Sequence, residues 1–276
     1  MYKTEEEFLK NYNAKAYDQL SMTSDILLLS ISSEKQENYR KINEKNLSIL
    51  LVKRNDFPFK DKWCLPGGFV NPNTETLEDT AKRILKSEVN LENIYMEQLY
   101  TYDSLNRDPR CRVVSTSFIA LVDKNKITNK INPNASWFNI EFITDNDKNI
   151  KINLDNGSES FKIECKKSID KASLHVKYEL INNDFMAFDH PLIIFNGIER
   201  LRNKIDYTDL VFYMMPKQFT LGELQKVYEA ILNKKLLEPA FRRTIAHKVE
   251  KTNDIQTGEG HRPSVLYKYK VLSVKL

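Results

Sequence analysis

Nowhere in the 276-residue sequence is there an apolar run approaching the roughly 18–20 uninterrupted residues that a membrane-spanning helix needs. Its first residues, Met1 to Asn11, carry charge where a secretion signal has an apolar core. These two absences argue against a membrane protein or an exported one, and the expected location is cytoplasmic. Cysteine is scarce: Cys64, Cys111 and Cys165 are odd in number, far apart, and without the close paired spacing of a zinc site. They are expected to be free thiols, as is usual for reduced compartments. The four histidines, His175, His190, His247 and His261, are scattered with no metal-ligand spacing. There is no internal repeat and no low-complexity tract, which excludes solenoids and biased tails.

The sequence does have the makings of a core. It is 41% apolar, 11% aromatic and 29% charged, the balance of a soluble globular protein. Its length exceeds the usual single domain of roughly 100–200 residues, so two domains are expected. Charge divides along the chain. From Pro216 to Leu276 there are 12 Lys+Arg against 6 Asp+Glu, a net +6, and the remaining 30 against 32 leave −2 before it. A basic end suggests a nucleic-acid-facing domain, although a solvated basic face gives the same count.

Apolar, β-rich runs at Asp25 to Ile31, Leu47 to Lys53, Glu97 to Tyr102 and Val113 to Asp123 read as strands. Between Thr74 and Asn90, Leu77, Ala81, Leu85 and Val89 recur every four residues, the stripe of one amphipathic helix. The Asn/Asp-rich segment Asp145 to Ser158 is expected to be a turn or loop, followed by a hairpin of Ser160 to Lys166 and Ser173 to Leu180. From Asp189 the pattern turns helical. Asp189 is placed as an N-cap, with Pro191 in the first turn and Leu192, Phe195, Ile198 and Leu201 at every third residue. Thr220 and Glu223 form a capping-box signature for a second helix, and a third is expected over roughly Pro239 to Glu250. Thr252 to Gly260 reads as a polar loop leading into a strand at Ser264 to Leu272. Three helices and a strand after a polar loop give the order of a winged helix-turn-helix.

Three segments carry chemistry. Trp63-Cys64-Leu65-Pro66-Gly67-Gly68-Phe69-Val70, with Glu75, Arg83 and Glu88 after it, resembles the Nudix box, a glycine loop and helix whose glutamates hold a divalent metal against a diphosphate. Against that pattern, the loop before Glu75 is one residue longer, and Ile84 and Ser87 stand at acidic positions. Positions 84, 87 and 88 share one helix face, yet only Glu88 has the hard oxygen that magnesium requires. Glu88 is thus a weak candidate metal ligand, more often read as a solvated surface charge, and Glu75 with Arg83 resembles the family's structural ion pair. No catalytic residues are assigned, and no cofactor is expected to be required. Asn106-Arg107-Asp108-Pro109-Arg110-Cys111-Arg112 resembles the segment of Nudix proteins that bind or hydrolyse ADP-ribose. Guanidinium groups suit that task because they grip phosphate bidentately, though Asp108-Pro109 also suits a plain hairpin turn. The candidate ligand-binding set is Arg54, Gly67, Gly68, Arg107, Asp108 and Arg110.

The third segment comprises Ala187-Phe188-Asp189-His190, Ile198-Glu199-Arg200-Leu201-Arg202, Phe219-Thr220-Leu221, Phe241-Arg242-Arg243 and Arg262-Pro263. It resembles the C-terminal domain of the Nudix-related transcriptional regulators, the NrtR family. Together the resemblance covers about residues 20–140 and 187–276. It implies an α+β protein: a Nudix-type α/β/α sandwich with a mixed sheet over residues 20–186, in which 141–185 is an inserted β elaboration, and a winged helix over 187–276. It also implies a homodimeric regulator that binds a double-stranded DNA operator and senses ADP-ribose or a related nucleotide or sugar metabolite. Arg242, Arg243 and Lys248 are then expected on the recognition helix, Lys251 at its end and Arg262 on the wing. His190 is expected to be an interdomain hydrogen-bonding residue. The alternative is an active magnesium-dependent Nudix hydrolase of a nucleoside diphosphate derivative that recruits carboxylates such as Glu92, Glu97 or Asp103.

Overall fold

A computed structural model describes residues 4–34, 42–90, 92–127, 131–146, 148–172, 176–183, 185–256 and 263–270. Among these, no helix is long and apolar enough to cross a membrane.

After a short first helix, α1 (Glu5–Asn11), the centre is a ten-stranded mixed sheet. Its middle strands, β1 (Ser21–Glu34), β2 (Glu44–Lys53) and β6 (Val113–Leu121), read as near-continuous apolar runs because both of their faces are covered. Alternation sorts the side chains. Ile26 and Leu28 of β1 face α2 (Leu77–Val89), along with Leu50, Phe118 and Ala120. Leu27 and Leu29 face the opposite way, towards Phe195 and Ile198 of α3 (His190–Ile205). The result is a helix–sheet–helix sandwich. β1 runs parallel to β6 and antiparallel to β2, and β5 (Tyr95–Tyr102) closes one edge against β6. The short strands β3 (Trp63–Cys64) and β4 (Gly67–Phe69) pair with β2 and β1.

Beyond β2 the sheet departs from expectation. Four antiparallel strands continue it: β7 (Ala135–Asp145), β8 (Asn149–Asp155), β9 (Ser160–Ile169) and β10 (Val176–Asn182); β9 and β10 form the expected hairpin, while a strand stands where a loop is expected before it. The expected loop at Asp145 to Ser158 is largely β8, in which Ile150, Ile152 and Leu154 are buried and the residues between them are not. A two-residue alternation outweighs the turn-like composition of the asparagines. Residues Ser173 to His175 lie outside the described residues.

α3 is apolar on most of its surface because it lies between the sheet and the C-terminal helices. Gly197 permits the close approach, since a Cβ there would sit 1.9 Å from a Leu27 methyl. α4 (Leu221–Leu232) starts with the expected capping box, Thr220 accepting from the Glu223 amide and Glu223 from that of Thr220. α5 runs over Glu238–Ile245, shorter than expected, and packs Phe241 edge-on against Tyr228 of α4. The chain after α5 is strand, not helix or loop: β11 (Val249–Gln256) pairs antiparallel with β12 (Ser264–Tyr269), and Phe219 bridges to Tyr267. A helix pair backed by this β hairpin is a winged helix. Its core is continuous with that of the sandwich through Leu201, Ile205, Leu210 and Ile231.

Candidate functional site

At the end of the sheet where β1, β3 and β4 meet is a cavity of about 390 Å³, and all six residues of the candidate ligand-binding set line it: Arg54, Gly67, Gly68, Arg107, Asp108 and Arg110. Local chemistry explains how they converge. β4 pairs with β1 so closely that a Cβ on Gly67 would lie 2.2 Å from a carboxylate oxygen of Asp25, leaving room only for glycine. Glu75 clamps the loop to α2 through a bidentate pair with Arg83 (2.6 and 2.9 Å) and accepts from the Asn71 amide and the Thr80 hydroxyl. Those bonds, led by that from Arg83, hold the Glu75 carboxyl at about 2, below its ordinary range.

The floor is a buried charge cluster. The Arg107 guanidinium meets both carboxylate oxygens of Asp189 (3.0 and 2.7 Å) and reaches Asp25 at 3.4 Å. Asp25 also accepts from the Ser115 hydroxyl (2.5 Å). Burial works against the Arg107 charge, but Asp189 and Asp25 outweigh it and raise its pKa. Asp189 occupies the N-cap position of α3 without capping it, a correction to the sequence expectation: its carboxylate is committed to Arg107. His190, fully buried, accepts from the Leu65 amide at Nδ1 (2.9 Å), and burial lowers its pKa, so the neutral ring carries its proton on Nε2, 3.7 Å from Asp25.

The rim is cationic and aromatic. Phe188, held at φ +56°, lies under the guanidinium groups of Arg54 (5.0 Å) and Arg110 (5.9 Å), and Arg110 also covers Phe69 (5.1 Å). Asp108 is buried and takes two bonds from the Arg110 side chain (3.0 and 2.8 Å), so Arg110 is held over the cavity by an internal anion. Phe188, Asp25, Ser115 and Asp189 were absent from the sequence-derived set. Two signals pointed to them: Phe188 and Asp189 stand in the Ala187-Phe188-Asp189-His190 segment, and Asp25 is a charged residue within a strand buried on both faces.

A divalent metal does not fit this donor set. Ile84 is 4% exposed within the core under α2, and the Ser87 hydroxyl donates back to the Ile84 carbonyl. Glu88 lines the cavity half-buried, and burial raises its pKa against a bond from Asn132. Its Oε2 has no hydrogen-bond partner among the described residues, which likewise contain no cluster of three His, Cys, Asp or Glu side chains able to hold an ion. Of the carboxylates considered for recruitment, Glu92 pairs with Lys86 and Glu97 with Lys204, and neither these nor Asp103 lines the cavity. Cys64, also lining it, is pushed up to about 12 by burial and remains a thiol. No disulfide forms; all three cysteines are free.

On the winged helix, Arg242 and Arg243 are exposed on α5, Arg242 paired with Glu238 (2.6 Å). Lys248 is not on that helix. It is 7% exposed, with Nζ bonded to the Thr208 carbonyl (2.5 Å) and 3.2 Å from Asp209, a fixed structural cation. Lys251 lies exposed in β11 rather than at a helix end, and Arg262 is outside the described residues.

A Nudix sandwich without its metal-holding carboxylates, joined to a winged helix, defines a class of DNA-binding regulator built on an enzyme fold. The comparisons agree: the NUDIX domain matches residues 40–155, and the NrtR DNA-binding winged helix domain matches 211–269. The chain thus joins a NUDIX domain to an NrtR-type DNA-binding winged helix, and in this arrangement it resembles the NrtR family of Nudix-related transcriptional regulators. It is 29% identical over 273 residues to an ADPR responsive transcriptional repressor from Acinetobacter baylyi, covering 97% of this chain and 89% of that protein. Among solved structures it resembles a MutT/nudix family protein from Enterococcus faecalis, at 27% identity and TM-score 0.69, over 97% of this chain and 94% of that one. It also resembles Shewanella oneidensis NrtR complexed with a 27mer DNA, at 26% identity and TM-score 0.59, over 90% and 93% of the two chains.

Proposed function

We propose that this chain is a transcriptional repressor whose cavity senses ADP-ribose or a closely related nucleotide and whose winged helix binds operator DNA as a homodimer. The observation that carries this reading is the cavity rim, where Arg54 and Arg110 lie over one phenyl ring while the metal-holding positions are Ile84 and Ser87. Two guanidinium groups suit a diphosphate, and the Phe188 and Phe69 rings suit a planar base beside it. With no magnesium to polarise the diphosphate, such a ligand is held and not cleaved. The Acinetobacter relative, named for its response to ADPR, supports the choice of ligand. Arg107, 4% exposed and committed to two carboxylates, serves the site as its foundation, and the grip falls to Arg54 and Arg110.

On the DNA side, α5 is the element that enters the major groove, with Arg242 and Arg243 towards the bases. Lys251 and Arg262 are assigned to phosphates. The domain boundary is placed just before α3, at residues 186 and 187, with α3 shared in packing by both domains.

Isothermal titration calorimetry with ADP-ribose tests the ligand site. Arg54→Ala and Arg110→Ala are each expected to weaken binding at least about tenfold, as lost charge-assisted contacts should. Unchanged affinity in both would remove the ligand from this cavity.

A further inference from the structure

We propose that α3 is a rigid coupling rod that carries the state of the cavity to the DNA-facing helices, with Asp189 as its joint at the cavity and Arg202 as its joint at the winged helix. This rests on the reading that the cavity takes a ligand and the winged helix takes DNA.

The N-terminal end of α3 is tied to both loops that form the cavity. Asp189 holds Arg107, at the head of the Arg107-Asp108-Pro109-Arg110 loop, and His190 holds the Leu65 amide at the head of the glycine loop. Phe188, one residue before, is the ring beneath Arg54 and Arg110. A 16-residue helix is about 24 Å long at 1.5 Å per residue, and its far end grips both α4 of the winged helix and β7 of the sheet. Arg202 donates from Nε to the Ile231 carbonyl at the last turn of α4 (2.8 Å) and from Nη1 to Asp145 of β7 (2.6 Å), and lies over the Phe142 ring at 4.3 Å. A guanidinium on those terminal carbonyls both satisfies one of them and complements the helix dipole. Just past the helix, Thr208 and Asp209 take Lys248, and Asp209 takes the Tyr269 hydroxyl of β12 (2.8 Å). One continuous element thus touches the cavity loops at one end and α4, the turn after α5 and the wing at the other.

Two features make it a device with two positions and not only a strut. Arg110 is already neutralised by Asp108, so an anionic ligand competes with Asp108 for it and displaces the loop that carries Arg107. At the other end, Nη2 of Arg202 is buried without a hydrogen-bond partner among the described residues, so a small shift of α3 against α4 or β7 can supply one. Buried groups in that state favour rearrangement over persistence.

The test is fluorescence anisotropy on the promoter DNA beside the protein's own gene, with and without saturating ADP-ribose. In wild type the ligand is expected to change the DNA Kd about tenfold or more, within the usual range of allosteric coupling. Arg202→Met leaves Asp145 paired with Lys167 (3.0 Å), and it is expected to bind ADP-ribose alone and DNA alone within about twofold of wild type. Its ligand-induced change in Kd should fall below about twofold, because coupling is a property separate from either affinity. Arg202→Lys, which keeps a charge for Asp145 but lacks the fork, should behave alike, with circular dichroism melting to verify that both are folded. A full tenfold response in both variants would overturn the proposal. A ligand-free arm separates it from the ligand assignment: Asp189→Asn should alter DNA affinity in the wild-type background and not in Arg202→Met. Non-additivity there with no response of wild type to ADP-ribose would refute the ligand and leave the rod standing. Strict additivity of the two substitutions would refute the rod.

Discussion

Replacing Arg107 by alanine removes the cation that stands between Asp25 and Asp189, both in the cavity floor. The guanidinium is 4% exposed and Asp25 and Asp189 are 8% and 14% exposed, so little water can replace the lost bonds. Breaking a buried pair by deleting one partner costs about 3–5 kcal/mol, chiefly from the charge left behind. For a protein of this size each kcal/mol shifts Tm by about 2–4 °C, so Arg107→Ala should melt roughly 6–20 °C below wild type. The pair Arg107→Met with Asp189→Asn, which deletes both charges, should recover much of that loss, since Asp25 retains the Ser115 hydroxyl. Thermal melts followed by circular dichroism at pH 7 measure both. A single alanine variant melting within about 2 °C of wild type, or a double variant no better than the single, would show that the cluster contributes nothing to folding. Arg107 would then return to the rank of a simple ligand contact.

The same geometry sets other outcomes. With Ile84 and Ser87 where carboxylates are needed, the protein should release no AMP from ADP-ribose in magnesium or manganese at ordinary enzyme rates; steady turnover would require a metal site elsewhere. Glu88→Gln should raise Tm by a few degrees at pH 7, because an ionised carboxylate with a buried, unbonded oxygen is costly there. The pKa of Glu88 is raised on folding, so its protonated form favours the folded state. This contribution is retained below the ordinary glutamate pKa and lost as pH rises through the folded value; a melt series that shows no pH-dependent difference between Glu88→Gln and wild type would contradict it. Arg242→Ala or Arg243→Ala should cost about 1–3 kcal/mol on the cognate operator with little change on random DNA, as read by competition gel shift. Lys248→Ala should instead lower Tm, since its ammonium is spent on Thr208 and Asp209.

Much of the architecture is legible along the chain because its signals are local. The α2 stripe, the Glu75–Arg83 spacing and the Thr220–Glu223 capping box each lie within about three helical turns, and the central strands announce themselves by unbroken apolar runs. β8 was obscured by composition: asparagine and aspartate suggested a turn, although Ile150, Ile152 and Leu154 alternate as a one-faced strand must. The end of α5 is hidden in the sequence because Val249 continues the apolar spacing of the helix, whereas it opens β11. The cavity residues were found through short motifs, but the cluster beneath them joins residues 82 apart twice over, Asp25 to Arg107 and Arg107 to Asp189. No local pattern encodes such pairings; Asp189 looks like an N-cap until the fold brings Arg107 to it.

The central claim is that one chain binds DNA and lets a small molecule govern that binding, and gel-shift titration of the promoter DNA beside its own gene tests it most directly. The wild-type protein should bind a near-palindromic site whose half-sites lie about one helical turn apart, roughly 34–36 Å, with affinity that falls steeply with salt. ADP-ribose should shift that affinity about tenfold or more. Binding that ignores both salt and ADP-ribose, or no binding to that DNA at all, would contradict the account.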